Sequence, residues 1–268
     1  MDSVHRSFSG SIPEFYDRYL VPFYFTPFAQ DLAERLRAGP DMRILELACG
    51  TGVVTQALAA TLSGDGSIVA TDLSDAMIDI AHKKIPDDRR VSWHQADATN
   101  LSFGDDTFDA VVCQFGWMFF PDRARAMRQA ARVLRPGGRL LFNTWDSLDV
   151  NVIPAEAYAG VRSCFLSNPP TFYDIPYGMF DPAEHEELAV DAGFSEVEVG
   201  KVRYRGAELD PFEVATGVIR GGPFALEIEQ RGADLDKTIE TTAGRLRQRF
   251  GDAPFAAQLS ALVCSATK

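Results

Sequence analysis

The residues best able to do chemistry stand where apolar runs end. Ile44-Leu45-Glu46-Leu47-Ala48-Cys49-Gly50-Thr51-Gly52 is a strand pattern that passes into a glycine loop and then into a helical pattern. Gly50 and Gly52 would let the backbone approach a ligand closely at the carboxyl end of that strand, the edge at which open α/β sheets bind ligands. Asp72 ends the next apolar run, 22 residues after Gly50, a spacing at which a carboxylate reaches ribose hydroxyls. The pattern is that of a nucleotide-binding turn. Thr55 stands where a third glycine would complete G-x-G-x-x-G, and no Gly-Lys-Ser/Thr follows, so neither a pyrophosphate nor a triphosphate cradle is written. Glu46 beside the loop suits a cationic ligand better.

Acid–base and metal-binding candidates are sparser. His5 sits at a terminus, His82 on a helix and His94 within a strand, which leaves His185 as the candidate base against the alternative of a surface helix position. Cys49, Cys113, Cys164 and Cys264 form no C-x-x-C pair, and they read as scattered reduced thiols rather than a disulfide framework or a zinc site. Asp105, Asp106 and Asp109 precede the fourth strand instead of following it, so the clustered carboxylates of a magnesium- or calcium-type site are not assembled. No metal is expected.

Parallel strands joined by crossover helices would position these residues, and the chain alternates accordingly from Arg43 to Trp145. Strands are expected at Arg43–Ala48, Ser67–Asp72, Val91–Asp97, Asp109–Gln114 and Gly138–Trp145. Val54, Ala57, Leu58 and Leu62 make one helical stripe; Met77, Ile78 and Ala81 make another behind Ser74, a candidate N-cap. A third helix is expected from about Pro121 to Leu134, and Pro136-Gly137-Gly138 then reads as a turn into the fifth strand.

After Trp145 the alternation breaks. An aromatic segment with Tyr158, Phe165, Tyr173, Tyr177 and Phe180 reads as a lid, followed by a helix near Pro182–Ala192, a strand at Glu196–Arg205, a helical stretch over Asp210–Arg249 and a last strand near Leu259–Ser265. The expected organisation is an N-terminal aromatic segment (1–38), a cofactor-binding core (39–146), a lid insertion (147–181), a continuation of the core (182–205), a helical insertion (206–253) and a final core strand (254–268). Phe15, Tyr16, Tyr19, Phe23, Tyr24, Phe25 and Phe28 lead into a helix around Phe28–Arg37; they would either pack across the sheet or cover a ligand.

Composition narrows the partners. The 268 residues, 46% hydrophobic, suffice for one large decorated domain. A formal net charge of −12 repels a phosphate backbone, and the basic stretches Arg123–Arg139 and Arg245–Arg249 are spaced like solvated helix faces. No stretch approaches the roughly 18 apolar residues of a membrane span, and no signal-like N-terminus is visible. A cytoplasmic protein without membrane insertion or nucleic-acid partner is expected.

Four segments together carry a resemblance. Glu46 to Gly52, Val69-Ala70-Thr71-Asp72, Gln95-Ala96-Asp97-Ala98 and Arg132-Val133-Leu134-Arg135-Pro136-Gly137-Gly138 resemble, in order and spacing, the successive motifs of class I S-adenosylmethionine-dependent methyltransferases. Tyr16-Asp17-Arg18-Tyr19-Leu20 and Ala192-Gly193-Phe194 resemble flanks of the small-molecule branch, the ubiquinone/menaquinone-methyltransferase-like type. The resemblance implies a doubly wound, Rossmann-like α/β sheet of seven strands, the last antiparallel, with helical lid insertions.

It also implies roles. Glu46, Ala48, Gly50 and Gly52 would contact or shape the methionine end of S-adenosylmethionine, and Tyr16 from the N-terminal segment would also bind the cofactor. Asp72 would bind both ribose hydroxyls, Leu73 and Met77 would pack on the adenine, Asp97 would accept from its exocyclic amine and the Ala98 amide would donate to a ring nitrogen. Gln114 and Phe115 would lie beside the sulfonium, where a polar cap and an aromatic face both suit a cation. Apart from the resemblance, Trp145 and Asp146 at the end of the fifth strand, with Trp117, Tyr173 and Tyr177, would line the acceptor side if the lid folds over the sheet edge.

Asn168-Pro169-Pro170-Thr171-Phe172 resembles the Asn-Pro-Pro-aromatic signature of amino-group methyltransferases but follows the fifth strand rather than the fourth, and reads as a loop. The expected activity is methyl transfer to an apolar or aromatic small molecule, with a homodimer as the candidate assembly. The competing reading is a protein that binds S-adenosylmethionine for a non-methylating or regulatory purpose, because cofactor motifs report binding and not transfer.

Overall fold

The computed structural model describes Phe8 and residues 10–268 except Asp87, with Ala257 described by its backbone alone. His5 lies outside the described residues. Strands β1 (Arg43–Glu46), β2 (Ser67–Asp72), β3 (Val91–Gln95), β4 (Phe108–Gln114), β5 (Leu134–Trp145), β6 (Ser195–Leu209) and β7 (Phe255–Thr267) form one sheet in the order β3-β2-β1-β4-β5-β7-β6. The first five run parallel, and β7 is antiparallel to both β5 and β6. The order reverses between β1 and β4, which makes their carboxyl ends the switch point at which such sheets open a crevice.

The central strands β1, β2, β4 and β5 are largely apolar on both faces because helices cover both. Ile44, Ile68, Ala110, Val112 and Leu141 enter one core with α2 (Thr26–Leu36) and α3 (Val53–Thr61). Their neighbours Leu45, Val69, Val111, Leu140 and Phe142 enter the other, with α5 (Arg123–Val133) and Ala189 of α7 (Pro182–Asp191). This is the two-residue alternation of extended chain, read out on two layers of helix. Helix α4 (Asp75–Lys84) starts where Ser74 accepts from the Met77 amide, as expected of an N-cap.

The sheet departs from expectation at three places. Pro136-Gly137-Gly138 is a wide bulge within β5 rather than a turn before it, because Leu134 already pairs with Phe108 and Arg139 with Ala110. The Gly137 amide donates to the Lys268 carbonyl and the Lys268 amide to the Gly138 carbonyl, tying the bulge to the end of β7. Strands β6 and β7 also run on to the pair Leu209–Phe255, well past the expected Arg205 and Leu259.

The N-terminal chain forms α1 (Ile12–Phe15), then a π-helical turn series over Tyr16–Phe25 that holds Pro22, before α2. Between β5 and α7 lie α6 (Val152–Ser163) and a short 3-10 turn at Phe172–Asp174; between β6 and β7 lie α8 (Pro211–Arg220), α9 (Phe224–Gln230) and α10 (Leu235–Phe250). Asp210 and Glu213 close α8 with a capping box. Helix α10 packs on α6 and α8, and α8 in turn seats the π-helical segment. That seat is close. A Cβ on Gly217 would meet the Tyr19 Cβ at 2.7 Å, and one on Gly206 of β6 would meet the Phe23 carbonyl oxygen at 1.8 Å.

Candidate functional site

A cavity of about 530 Å³ opens at the switch point, bounded by the carboxyl ends of the strands and roofed by the N-terminal segment. Its floor is backbone in unusual conformations. Ala48, after β1, has φ +53° and Phe115, after β4, has φ +49°. Non-glycine residues held in the left-handed region cost free energy, and they concentrate where a ligand needs a particular chain path. Asn143 in β5 secures the second of them, since the Phe115 amide donates to both its carbonyl oxygen (3.1 Å) and its Oδ1 (2.9 Å).

At one end stands Asp72, the last residue of β2. Its Oδ2 accepts from the Gly50 amide at 2.8 Å and its Oδ1 from the Ser74 amide at 2.9 Å. Burial raises the carboxyl above its ordinary range, while the amides of Ser74, Gly50 and Leu73 oppose that rise. Leu73, Ser74, Met77, Ala96, Asp97 and Ala98 continue this end. The Asp97 Oδ1 accepts from the amide and hydroxyl of Thr99, at 2.8 and 2.7 Å, which orients the carboxylate.

At the other end Phe115 stacks on Trp145, rings 3.7 Å apart and 11° from parallel, and Phe25 leans on both. Tyr24, Phe172, Tyr173 and Tyr177 complete an aromatic pocket. Between the two ends Gln114 donates from Nε2 to the Phe25 carbonyl (3.4 Å), leaving Oε1 with no hydrogen-bond partner among the described residues. Tyr16 lies over the glycine loop: a Cβ on Gly50 would come 3.9 Å from its hydroxyl. Burial, and then the Asp72 carboxylate, push the Tyr16 phenol far above its usual range.

Of the residues singled out from sequence, the cavity wall gathers Tyr16, Ala48, Gly50, Asp72, Leu73, Met77, Asp97, Ala98, Gln114, Phe115, Trp145, Tyr173 and Tyr177. Five others stand elsewhere. Glu46 is 1% exposed and lies behind the loop, where its Oε2 accepts from the Thr55 hydroxyl at 2.7 Å. The threonine that replaces the third glycine thus stabilises a buried acid, whose pKa burial pushes up to about 8. Gly52 shapes the loop without facing the cavity: with φ +82° it opens α3, and a Cβ there would meet the Ala81 Cβ at 2.9 Å.

Trp117 is buried against Phe142, ring centroids 4.7 Å apart, and does not line the cavity, although Gly116 and Met118 on either side of it do. His185 is fully buried and is not a base for the site. Its Nε2 meets the Thr144 hydroxyl at 2.7 Å and its Nδ1 the Asp181 carbonyl at 2.8 Å, so it clamps α7 to β5. Asp146 is taken by Lys201 and Ser260, at 3.0 Å each. The carboxylates before β4 are engaged too, with Asp105 on Arg132, Asp106 on Lys268 and Asp109 on Arg135.

Sequence reasoning left Tyr24, Phe25, Phe119 and Phe172 out of the site. For the first two the signal was present in the aromatic run before α2, where packing and ligand cover were both open. The structure divides the run: Phe23 and Phe28 are core, while Tyr16, Tyr24 and Phe25 wall the cavity. Asn143 carried a fainter signal, a polar residue inside an apolar strand.

Comparison with known proteins agrees with this geometry. A family profile described as a methyltransferase domain matches residues 44–138. The chain is 41% identical over 111 residues to a demethylmenaquinone methyltransferase of Clavibacter sepedonicus, a stretch covering 41% of this chain and 44% of that protein. The chain thus spans less than half the length of that relative. With the ubiquinone/menaquinone biosynthesis C-methyltransferase UbiE of Shewanella frigidimarina it is 30% identical over 185 residues, 60% of this chain and 69% of the relative. Among solved structures, phosphoethanolamine N-methyltransferase 2 of Haemonchus contortus in complex with S-adenosyl-L-methionine shares the fold with a TM-score of 0.60 at 18% identity, covering 96% of this chain and 56% of that one.

Proposed function

The chain belongs to the class I S-adenosylmethionine-dependent methyltransferases, and from that premise we propose that it transfers a methyl group from S-adenosylmethionine to an apolar or aromatic small molecule bound in the same cavity. The observation that carries this reading is the charge of the wall. Among the described residues its charged side chains are two carboxylates, Asp72 and Asp97, both at one end. A sulfonium and an ammonium suit such a wall, whereas a dinucleotide pyrophosphate would be desolvated with no positive partner.

The residues present fit the cofactor. Asp72 would hold the ribose hydroxyls, with its carboxylate already oriented by two amides. Leu73 and Met77 would flank the adenine, and Asp97 and the Ala98 amide would meet its edge. Ala48, Gly50 and Tyr16 would enclose the methionine portion, with Gln114 and Phe115 along the wall beside it. When bound, S-adenosylmethionine supplies an activated methyl group on a cationic sulfur.

The chain's own work is then orientation and exclusion of water. Holding a nucleophile in line supplies about 7–11 kcal/mol of a barrier, and the stacked Phe115 and Trp145 with the N-terminal roof keep the crevice dry. With His185 removed to the core, the acceptor end offers phenols and no carboxylate or imidazole among the described residues. An acceptor that is nucleophilic without strong base catalysis matches such a wall.

Calorimetric titration of S-adenosylhomocysteine tests the reading. Wild-type protein is expected to bind in the micromolar range, and Asp72→Ala to lose at least roughly tenfold in affinity, the consequence of deleting a charge-assisted hydrogen bond of about 1.5–3 kcal/mol. Absence of binding by the wild type would overturn the proposal.

A further inference from the structure

The N-terminal roof is wound in a form that chains adopt rarely. Tyr16–Phe25 is π-helical over ten residues, and the series closes where the Thr26 amide donates to the Val21 carbonyl, five residues back. Windings of this kind mostly last a single turn and concentrate at functional sites. Pro22 stands inside the segment, half-buried and not part of the cavity wall. In an α-helix its ring would clash with the carbonyl four residues back, that of Arg18, and its missing N–H would forfeit the bond to it. The wider π turn takes the Arg18 carbonyl out of that register.

Winding decides which side chains share a face. Tyr16 and Phe25 are nine residues apart, two and a half turns of an α-helix at about 3.6 residues per turn, which would set them on opposite sides. Bonding i to i+5 widens the turn by roughly one residue, so the same stretch makes about two turns and returns to one side. The two rings accordingly stack, centroids 5.0 Å apart and 23° from parallel, and both line the cavity with Leu20. Tyr16 covers the glycine loop, while Phe25 meets Phe115 at 5.6 Å and Trp145 at 5.8 Å. The other side of the segment is seated elsewhere: Tyr19 stacks on Phe15 and lies against Gly217 of α8.

We propose that Pro22 is a positioning residue for the cofactor: by denying the segment an α-helical winding it joins Tyr16 and Phe25 into one stacked unit that closes the cavity from the glycine loop to the Phe115–Trp145 pair. The proposal rests on the methyltransferase reading, which supplies the cofactor. Replacing the proline by alanine restores the amide and removes the clash, and so opens the α-helical winding to the segment. That winding turns Phe25 about half a turn away from Tyr16 and separates the two halves of the roof. A ligand that needs the π-wound roof then binds with an apparent affinity reduced to the fraction of chains that hold it. Since Pro22 is absent from the cavity wall, its effect travels through the two rings.

The test titrates S-adenosylhomocysteine calorimetrically into the full chain as wild type, Pro22→Ala and Pro27→Ala, and follows by NMR the cross-peak between the Tyr16 and Phe25 ring protons. Pro27 is the control, because it stands in the first turn of α2, where proline fits an α-helix. Wild type and Pro27→Ala are expected to show the cross-peak free and bound, with equal affinities. Pro22→Ala is expected to bind at least roughly 5-fold more weakly, to lose the cross-peak when free and to regain it when saturated. Wild-type affinity in Pro22→Ala would overturn the assignment, as would a cross-peak that persists in it without ligand. Loss of the fold in Pro22→Ala would do the same, by making the proline a determinant of folding rather than of the roof. Failure of S-adenosylhomocysteine to bind the wild type would instead remove the methyltransferase reading beneath the proposal.

Discussion

Glu46 shows how a single side chain can be read correctly as special and wrongly as to why. An acid beside a glycine loop suggests a cationic ligand, but strand parity says otherwise: Ile44 and Glu46 point to one side of β1, toward α3, and Leu45 to the other. The acid therefore meets Thr55, and burial raises its pKa to about 8 against an ordinary 4.5. Between those two values the folded protein holds a proton that the unfolded chain releases. The contribution of Glu46 to stability is thus fully present below about pH 4.5 and is lost as pH rises through 8, with a limiting slope of about 1.4 kcal/mol per pH unit. Denaturant titrations from pH 5 to 9 check this. Glu46→Gln, which keeps an acceptor for Thr55, is expected to flatten the part of the profile that the wild type loses toward alkaline pH; an unchanged slope would refute the assignment.

At the scale of elements, the five parallel strands and their helices were legible because apolar runs and caps are local signals. β2 matches its expected limits residue for residue. What escaped depended on distant partners. The Pro136-Gly137-Gly138 turn became a bulge because the end of β7 zips onto it, and β6 outran its pattern because Phe255 pairs with Leu209. His185 was assigned to surface or site because a helix pattern does not disclose that Thr144 waits in β5 to receive it.

The seat of the N-terminal segment was illegible for the same reason, and it yields an element-scale prediction. Gly206 has backbone rather than a flexible side chain in the way of a Cβ, so Gly206→Ala must push the π-helical segment off β6. A destabilisation of about 1–3 kcal/mol is expected, as for other overpacked sites. Gly200→Ala on the same strand, where a Cβ meets nothing within 4 Å, is expected to stay within about 0.5 kcal/mol of wild type. Equal unfolding midpoints for the two variants would show that the segment does not rest on β6 as described.

Over the whole molecule, one stretch of chain closes both ends of the cavity. Phe8 accepts from the Ser74 hydroxyl at 2.8 Å, Asp17 pairs with Lys84 of α4, and Tyr16 overhangs the glycine loop, all at the cofactor end. Fewer than ten residues later Tyr24 and Phe25 wall the acceptor end. On the proposed reading, a ligand that orders the first part of this roof prepares the second, and the two affinities are expected to be linked reciprocally. Saturation with S-adenosylhomocysteine is expected to tighten 2-naphthol, an aromatic probe of the acceptor end, by about 5-fold or more, the lower range of such couplings, and 2-naphthol to tighten S-adenosylhomocysteine by the same factor. Lys84→Ala, which frees the roof at the cofactor end without touching the acceptor pocket, should shrink that factor while leaving the affinity of 2-naphthol for the cofactor-free protein unchanged. Identical 2-naphthol affinities with and without S-adenosylhomocysteine would mean that the roof is already set before either ligand arrives, and that the shared segment is a wall rather than a coupling element.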